Sequence, residues 1–406
     1  MNMPAKTSLA PGDPSPPRPG QTEQARYSDV PRIQRLLAES EFDAVVVAWP
    51  ENTAYLSGFY HPDMRLLWER MHIVVWPSDG DPVYVVPAPR ADNWNGRDSG
   101  SWAAEESMPF ITDIRGYVGE HEHMIEVTAD ALTDLGLTGG HIGIEGRTAP
   151  FKLTDGLARR HPGVRFGDAW PLLNEMRKVK TPAEVERITA TNLLTAQHLE
   201  AGLRSIRSGD TEIEIASRVT DGLFRDGAHE LTHTILGGGC RGGQWHPYPR
   251  PTVLEAGMLI RSDWGVRIDG YWSDIARTAV VGAASREQRS RFDRISAVHD
   301  TVVAALRPGV VAREVAELAK REYARLGEEY RWGIVGHGIG LVVHEEPQLT
   351  VDYEDPIVEG MTMQIELGWV DPTQGYHIED LVYVGADATT NLTTPLGTRR
   401  IIEAGA

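Results

Sequence analysis

Residues 262–274 read SDWGVRIDGYWSD: a strand, a turn at Asp269-Gly270 and a second strand. Asp263 and Asp274 lie 11 positions apart, so the midpoint of their span falls between Ile268 and Asp269. A hairpin closing there makes the two carboxylates cross-strand neighbours. One closing on Asp269-Gly270 makes them diagonal neighbours. In both registers they share a face, about 4.5–8 Å apart. Carboxylates that close repel each other unless a cation lies between them or one holds a proton.

A second pair of acids repeats the pattern. Glu366 and Glu379 are 13 apart in IELGWVDPTQGYHIED, residues 365–380. Their midpoint falls between Pro372 and Thr373, both turn formers, which predicts a second hairpin with facing carboxylates. Between the two pairs, His337 opens HGIGLVVHEEP and His344 follows seven residues on. Four carboxylates and one imidazole suit Mn²⁺, Co²⁺ or Fe²⁺, and accept Zn²⁺. They are too many for one catalytic zinc, which usually takes three protein ligands. They do suit two cations about 3.5–4 Å apart.

Composition sets the frame. The chain has 406 residues and is 41% hydrophobic, enough for two domains and a sizeable core. Its formal net charge is −18, which argues against nucleic acid or an anionic membrane as the main partner. Cys240 is the only cysteine, so no internal disulfide forms and a reducing cytoplasm is tolerated. No apolar run approaches about 18 residues, so no transmembrane helix is expected.

Six prolines among the first 20 residues, with no apolar block, read as a flexible tail over 1–26. Residues 27–178 then alternate helices and strands, an α/β first domain. A helix spans about 31–39, DAVVVAW (43–49) is a buried strand, and NTAYLSGF (52–59) reads as a turn region. Two strands flank Ser78-Asp79-Gly80-Asp81 as a hairpin. A helix near 123–135 stops at Gly136, and a strand follows at 141–145. The second domain, 179–406, opens with Thr181-Pro182-Ala183-Glu184, a helix start with N-cap, first-turn proline and returning glutamate. A second helix begins near Thr211. Ser285–Gln288 caps a third, and a fourth runs from Ala312 towards Gly327. Gly209, Glu214 and Gly227 recur 100 residues on as Gly309, Glu314 and Gly327. This predicts an α+β domain made of two similar halves, each a helix pair and antiparallel strands, with a cleft between them.

The set DWGVRIDGYWSDIART, HGIGLVVHEEP, IEL and YHIED resembles the pita-bread metallohydrolases of family M24. These include Xaa-Pro aminopeptidase, prolidase, methionine aminopeptidase and the creatinase-like enzymes. The resemblance runs from about Tyr27 to the C-terminus and includes a creatinase-type N-terminal domain. It implies a homodimer with two divalent ions, Mn²⁺ first, held by Asp263, Asp274, His337, Glu366 and Glu379. Asp274 and Glu379 would bridge. The ion pair would lower the pKa of a shared water, and Glu366 would take its proton. His344 would steady the oxyanion, and His246, in GGGCRGGQWHPYP (237–249), would orient the substrate. The implied reaction is hydrolysis of a peptide C–N bond, of the Xaa-Pro type, in the cytoplasm.

Three positions depart from the peptidase pattern. His377 stands where RIED has arginine, Leu367 where EPG has proline, and Ala276 where DITRT has threonine. An imidazole does not replace a bidentate guanidinium. Substrate contact is therefore expected at His246, at His377, and at Arg65 reaching over from a partner subunit. A creatinase-like or ectoine-hydrolase-like enzyme acting on a small non-peptide amide or amidine is the runner-up. A lyase acting on a small sulfonium compound and a catalytically silent binding protein are remoter. His229 and His233, flanking a strand, read as structural. Gly237-Gly238-Gly239 reads as backbone clearance near the substrate. Trp245, Trp264 and Trp369 are candidates for the cleft wall or for the core.

Overall fold

The computed structural model describes residues 28–95, 109–119, 121–393 and 400–405. The stretch read as a tail lies outside them. Helix α1 (Val30–Ala38) starts on Asp29, whose carboxylate accepts the Arg32 amide at 3.1 Å. It leads into β1 (Ala44–Val47), near the middle of a six-stranded sheet. Ala44 and Val46 pack beside Met124 and Leu132, while Val45 and Val47 face Ile33, Leu37 and Leu173. Burial on both faces is why this strand is a continuous apolar run.

The order continues α2 (Pro50–Ser57), α3 (Asp63–Leu66), β2 (Ile73–Pro77), β3 (Val83–Pro87), α4 (Ala88–Asn95), β4 (Asp113–Tyr117), α5 (His121–Asp134), β5 (Gly139–Ile144), α6 (Phe151–Arg160), β6 (Gly163–Asp168) and α7 (Trp170–Arg177). The sheet order is β4-β3-β2-β1-β5-β6. β1, β2 and β3 run antiparallel, and the remaining neighbours pair parallel. The 78–81 turn closes the β2–β3 hairpin as read. The turn expected at 52–59 is instead α2. Pro50 opens it, and Gly58 ends it in the left-handed region at φ 73°. Every residue from Glu51 to Ser57 is buried, so the helix has no polar face and shows no helical period in sequence.

The remainder is built twice. In the first half, α8 (Pro182–Arg204) and α9 (Glu212–Arg225) lie over β7 (Glu230–Gly238), β8 (Leu259–Ile268), β9 (Tyr271–Trp272) and β10 (Ile275–Val281). In the second, α10 (Arg286–Ala305) and α11 (Ala312–Arg325) lie over β11 (Gly336–Gly338), β12 (Glu345–Gln348), β13 (Thr362–Asp371), β14 (Gln374–Val384) and β15 (Thr389–Asn391). Strand β16 (Ile402–Ala404) returns to the first sheet beside β10. The capping boxes at Thr181, Thr211 and Ser285 all form.

Matching hydrogen bonds recur in both halves. The Gly209 amide meets Leu254 O at 2.8 Å, and the Gly309 amide meets Ile357 O at 2.9 Å. Gly257 donates to Val281 O at 2.8 Å, and Gly360 to Val384 O at 2.9 Å. The sheets are tied at their middle. Arg277 Nη1 donates to Glu379 O at 2.7 Å, and Thr278 Oγ1 to His377 O at 2.8 Å.

Candidate metal centre

The β8–β10 register pairs Asp263 with Ala276 and Ile268 with Tyr271, so the chain turns on Asp269-Gly270. Both turn residues have positive φ, 52° and 82°, the geometry of a type I′ hairpin. Asp274 is therefore the diagonal neighbour of Asp263, the second of the two registers considered. In the other hairpin, Glu366 pairs directly with Glu379, and Asp371 with Gln374 across the Pro372-Thr373 turn.

These hairpins converge. His337, on β11, is fully buried and its Nε2 lacks a hydrogen-bond partner. That atom lies 3.7 Å from Asp274 Oδ2, 3.9 Å from Glu366 Oε1 and 3.7 Å from Glu379 Oε1. Asp263 joins through the same cluster: ligand atoms of Asp263, His377 and Glu379 lie within 4.8 Å of one another. Glu379 Oε1 is likewise buried without a partner. Unpaired buried polar atoms are costly. Here they point at each other across a space whose donor set suits divalent cations, so the residues fit the metals they were expected to hold.

Burial pushes all four carboxyls up, and their neighbours decide where each ends. Asp274 is raised to about 6 by burial and by Asp263. Glu379 rises through burial and Asp274. In Asp263 burial acts upward, but the hydrogen bond and charge of His233 prevail and hold it well below the usual range. Glu366 is also lowered against its burial, by the His377 imidazole beside it. Both raised groups favour a proton more than an ordinary carboxyl does, so a cation entering here would compete with protons at Asp274 and Glu379.

Three of the five ligand candidates are braced from behind. Asn192 Oδ1 accepts the Asp274 amide at 3.1 Å and Gln364 Nε2 at 2.7 Å. Trp332 Nε1 donates to Glu366 Oε2 at 3.0 Å. His337 Nδ1 meets Gly338 O at 3.0 Å, leaving Nε2 for the cluster. Glu345, next to His344, is buried against Arg177 Nη1 at 2.7 Å and Lys180 Nζ at 2.6 Å.

A cavity of about 450 Å³ opens over the acids. His246, Trp245, Trp332 and His344 line it. The His344 ring lies 4.2 Å from that of His337, and burial plus the His337 charge lowers its pKa to about 4. Arg261 holds the His246 loop through the carbonyls of Gly242, at 2.9 Å, and Trp245, at 2.6 Å. Trp264 is fully buried in the core, and Trp369 stacks under Arg291, so neither lines this cavity. The glycines at 237 and 238 clear room for Arg241, Pro247 and Leu254.

His377 is buried, 3.4 Å from Glu366 Oε2 and 3.9 Å from Asp263 Oδ2, with its ring 4.8 Å from that of Trp332. Arg65 is not brought to the cluster within this chain. It pairs with Glu51, and that carboxylate also meets Arg267 at 3.4 Å. Arg65 lines a separate cavity with Trp68 and Phe151. His233, read as structural, is instead drawn into the acids, 3.1 Å from both Asp263 Oδ1 and Asp274 Oδ1. Its signal was the β7–β8 pairing, which sets residue 233 opposite Gly265, beside Asp263.

Comparison with known proteins agrees with this architecture. The profile of the creatinase/prolidase N-terminal domain matches residues 30–179, and that of metallopeptidase family M24 matches 186–386. A Xaa-Pro dipeptidase of Pyrococcus furiosus is 29% identical over 369 residues, covering 89% of this chain and 96% of its own. A putative dipeptidase of Bacillus subtilis, YkvY, is 28% identical, covering 89% and 97%. The solved dipeptidase from Pyrococcus horikoshii superposes at TM-score 0.77 with 26% identity, covering 90% of this chain and 97% of that one. Prolidase from Pyrococcus furiosus does so at 0.73 with 25%, covering 89% and 98%. With both profiles matched in tandem and the doubled helix-and-sheet architecture present, the chain belongs to metallopeptidase family M24 and is a metal-dependent hydrolase with a pita-bread domain behind a creatinase/prolidase N-terminal domain.

Proposed function

We propose that the protein is a dinuclear metallopeptidase that cleaves peptide bonds next to proline in short peptides. One observation carries this reading: paired acids from two hairpins and the unpartnered Nε2 of His337 face one point. The relatives named Xaa-Pro dipeptidase supply the substrate class. Asp263, Asp274, His337, Glu366 and Glu379 hold two divalent ions, Mn²⁺ first, with Co²⁺, Fe²⁺ and Zn²⁺ as alternatives. Asp274 and Glu379 would be the ligands common to both ions. When bound, the metals supply an acidified water and a Lewis acid for the carbonyl.

The protein's own groups do the rest. Glu366, fixed by Trp332, would take a proton from the attacking water and return it to the leaving nitrogen. His344 donates to the developing oxyanion. His246, at the cavity mouth, orients the substrate. Residues 27–178 and 179–406 form the two domains of each subunit in a cytoplasmic homodimer, in which Arg65 reaches the partner's cavity. Arg65→Ala is expected to raise KM with kcat unchanged, and an unaltered KM removes that role.

His377 favours a second reading. It stands where the peptidase pattern has arginine, and Arg261 directs its Nε and Nη2 to loop carbonyls. Position 377 thus offers a free proline carboxylate an imidazole in place of a bidentate guanidinium, which favours longer Xaa-Pro peptides or a small neutral amide. Mn²⁺-loaded protein should be assayed on Xaa-Pro dipeptides, longer Xaa-Pro peptides, creatine and ectoine. Proline-peptide hydrolysis is expected. Turnover of creatine or ectoine alone would replace this reading with the second.

A further inference from the structure

We propose that His233 is a sixth protein ligand, so that each of the two cations carries its own imidazole. The inference rests on the dinuclear reading and assigns one more side chain to it. Asp274 is the pivot. Its Oδ2 faces His337 Nε2 at 3.7 Å, and its Oδ1 faces His233 Nε2 at 3.1 Å. A carboxylate lying between two ions presents one oxygen to each, and here each oxygen already faces a different imidazole.

The distances fit a shared ion. Two ligands at right angles, each about 2.1 Å from one cation, stand about 3 Å apart. His233 Nε2 stands 3.1 Å from Asp274 Oδ1 and 3.1 Å from Asp263 Oδ1. Its other nitrogen, Nδ1, lies 3.3 Å from Thr232 Oγ1, so Nε2 is left to face the acids. Metal-bound histidines are oriented through their second nitrogen in this way.

The backbone is shaped for that approach. The β7–β8 register shifts between Leu231 and His233, an irregularity that re-aims the side chain. Opposite lies Gly265, where an added Cβ would stand 2.2 Å from His233 Cε1. Only a glycine there lets the imidazole lie across β8 towards Asp263. His337 approaches from the second sheet, so the imidazoles flank the acids from different halves of the domain.

The competing role is an imidazolium paired with two aspartates, which would hinder cation binding. The two roles predict opposite signs. Co²⁺-loaded protein should show two exchangeable, paramagnetically shifted imidazole N–H proton resonances. His233→Ala should lose one of them and bind one Co²⁺ about 10–100-fold more weakly by calorimetry. The other Co²⁺ should bind as before. His233→Gln, which keeps polarity and bulk, should also lose the resonance, separating ligation from folding. Two bound Co²⁺ with a single shifted imidazole in the native protein would overturn the assignment. So would unchanged or tighter binding in both variants. Native protein that binds no second Co²⁺ would instead overturn the dinuclear reading itself.

Discussion

At the residue scale, the chemistry is set by what each side chain faces rather than by its type. Four buried acids share one space and burial pushes all of them up, yet Asp274 and Glu379 stay raised while imidazole neighbours bring Asp263 and Glu366 down. His344 comes within 4.8 Å of ligand atoms of Asp274 and His337, but the five other ligand candidates suffice for two ions, so the loss of this oxyanion donor should spare the metals. His344→Ala should lower kcat about 10²–10³-fold, the cost of one oxyanion donor. Metal content, measured by elemental analysis, should not change, and metal loss would reassign His344 as a ligand. A second test lies far from the site. His72 is buried against Tyr84 OH at 2.7 Å, and burial with the Arg90 charge lowers its pKa to about 3. The folded state then binds fewer protons than the unfolded one between about pH 6.5 and 3. Stability falls as pH drops through that window, by about 1.4 kcal/mol per unit from this group. In His72→Phe, urea midpoints should decline less steeply over the same range. An unchanged slope would show that His72 is not held neutral.

At the element scale, the two hairpins place the acids, and the turn of the first is its most constrained part. Gly270 has φ 82°, and an added Cβ would lie 2.9 Å from the Tyr60 ring. Gly270→Val should cost about 1–3 kcal/mol by urea denaturation, through left-handed backbone strain and the clash with Tyr60. It should also weaken Mn²⁺ binding, because Asp274 follows four residues later. Wild-type stability in this variant would mean that the turn does not set the register. The hairpins were legible because side chains alternate with a period of 2 and the turn residues mark the centre. The 50–57 helix was not, since a fully buried helix carries no amphipathic pattern.

At the scale of the whole molecule, two half-domains close on the cluster through Arg277 and Thr278, and the N-terminal unit packs on their outside. Tyr271, Leu341 and Leu381 share one apolar cluster with Val45 and Tyr55. The assembly gathers charges that repel each other, so a bound cation should stabilise it. Thermal melting should rise with Mn²⁺ concentration and fall on chelation. The stabilisation should be about 2.7 kcal/mol at a hundredfold excess over Kd. A melting temperature indifferent to both would contradict a metal-bridged fold.

The sequence alone determined the register of the second hairpin, the shared face of Asp263 and Asp274 in the first, the capped helices, the repeat at 100 residues and the candidate set of five acid and imidazole side chains. All of these rest on spacing along the chain, which backbone geometry converts directly into faces and turns. Tertiary structure alone decided that His233 lies against Asp263 and Asp274, and that His377 sits over Glu366. It also decided that Arg65 is taken up by Glu51. The His233 contacts join strands whose pairing no local spacing gives, and the other two, though closer along the chain, depend on side-chain directions fixed by how the sheets and the N-terminal unit pack.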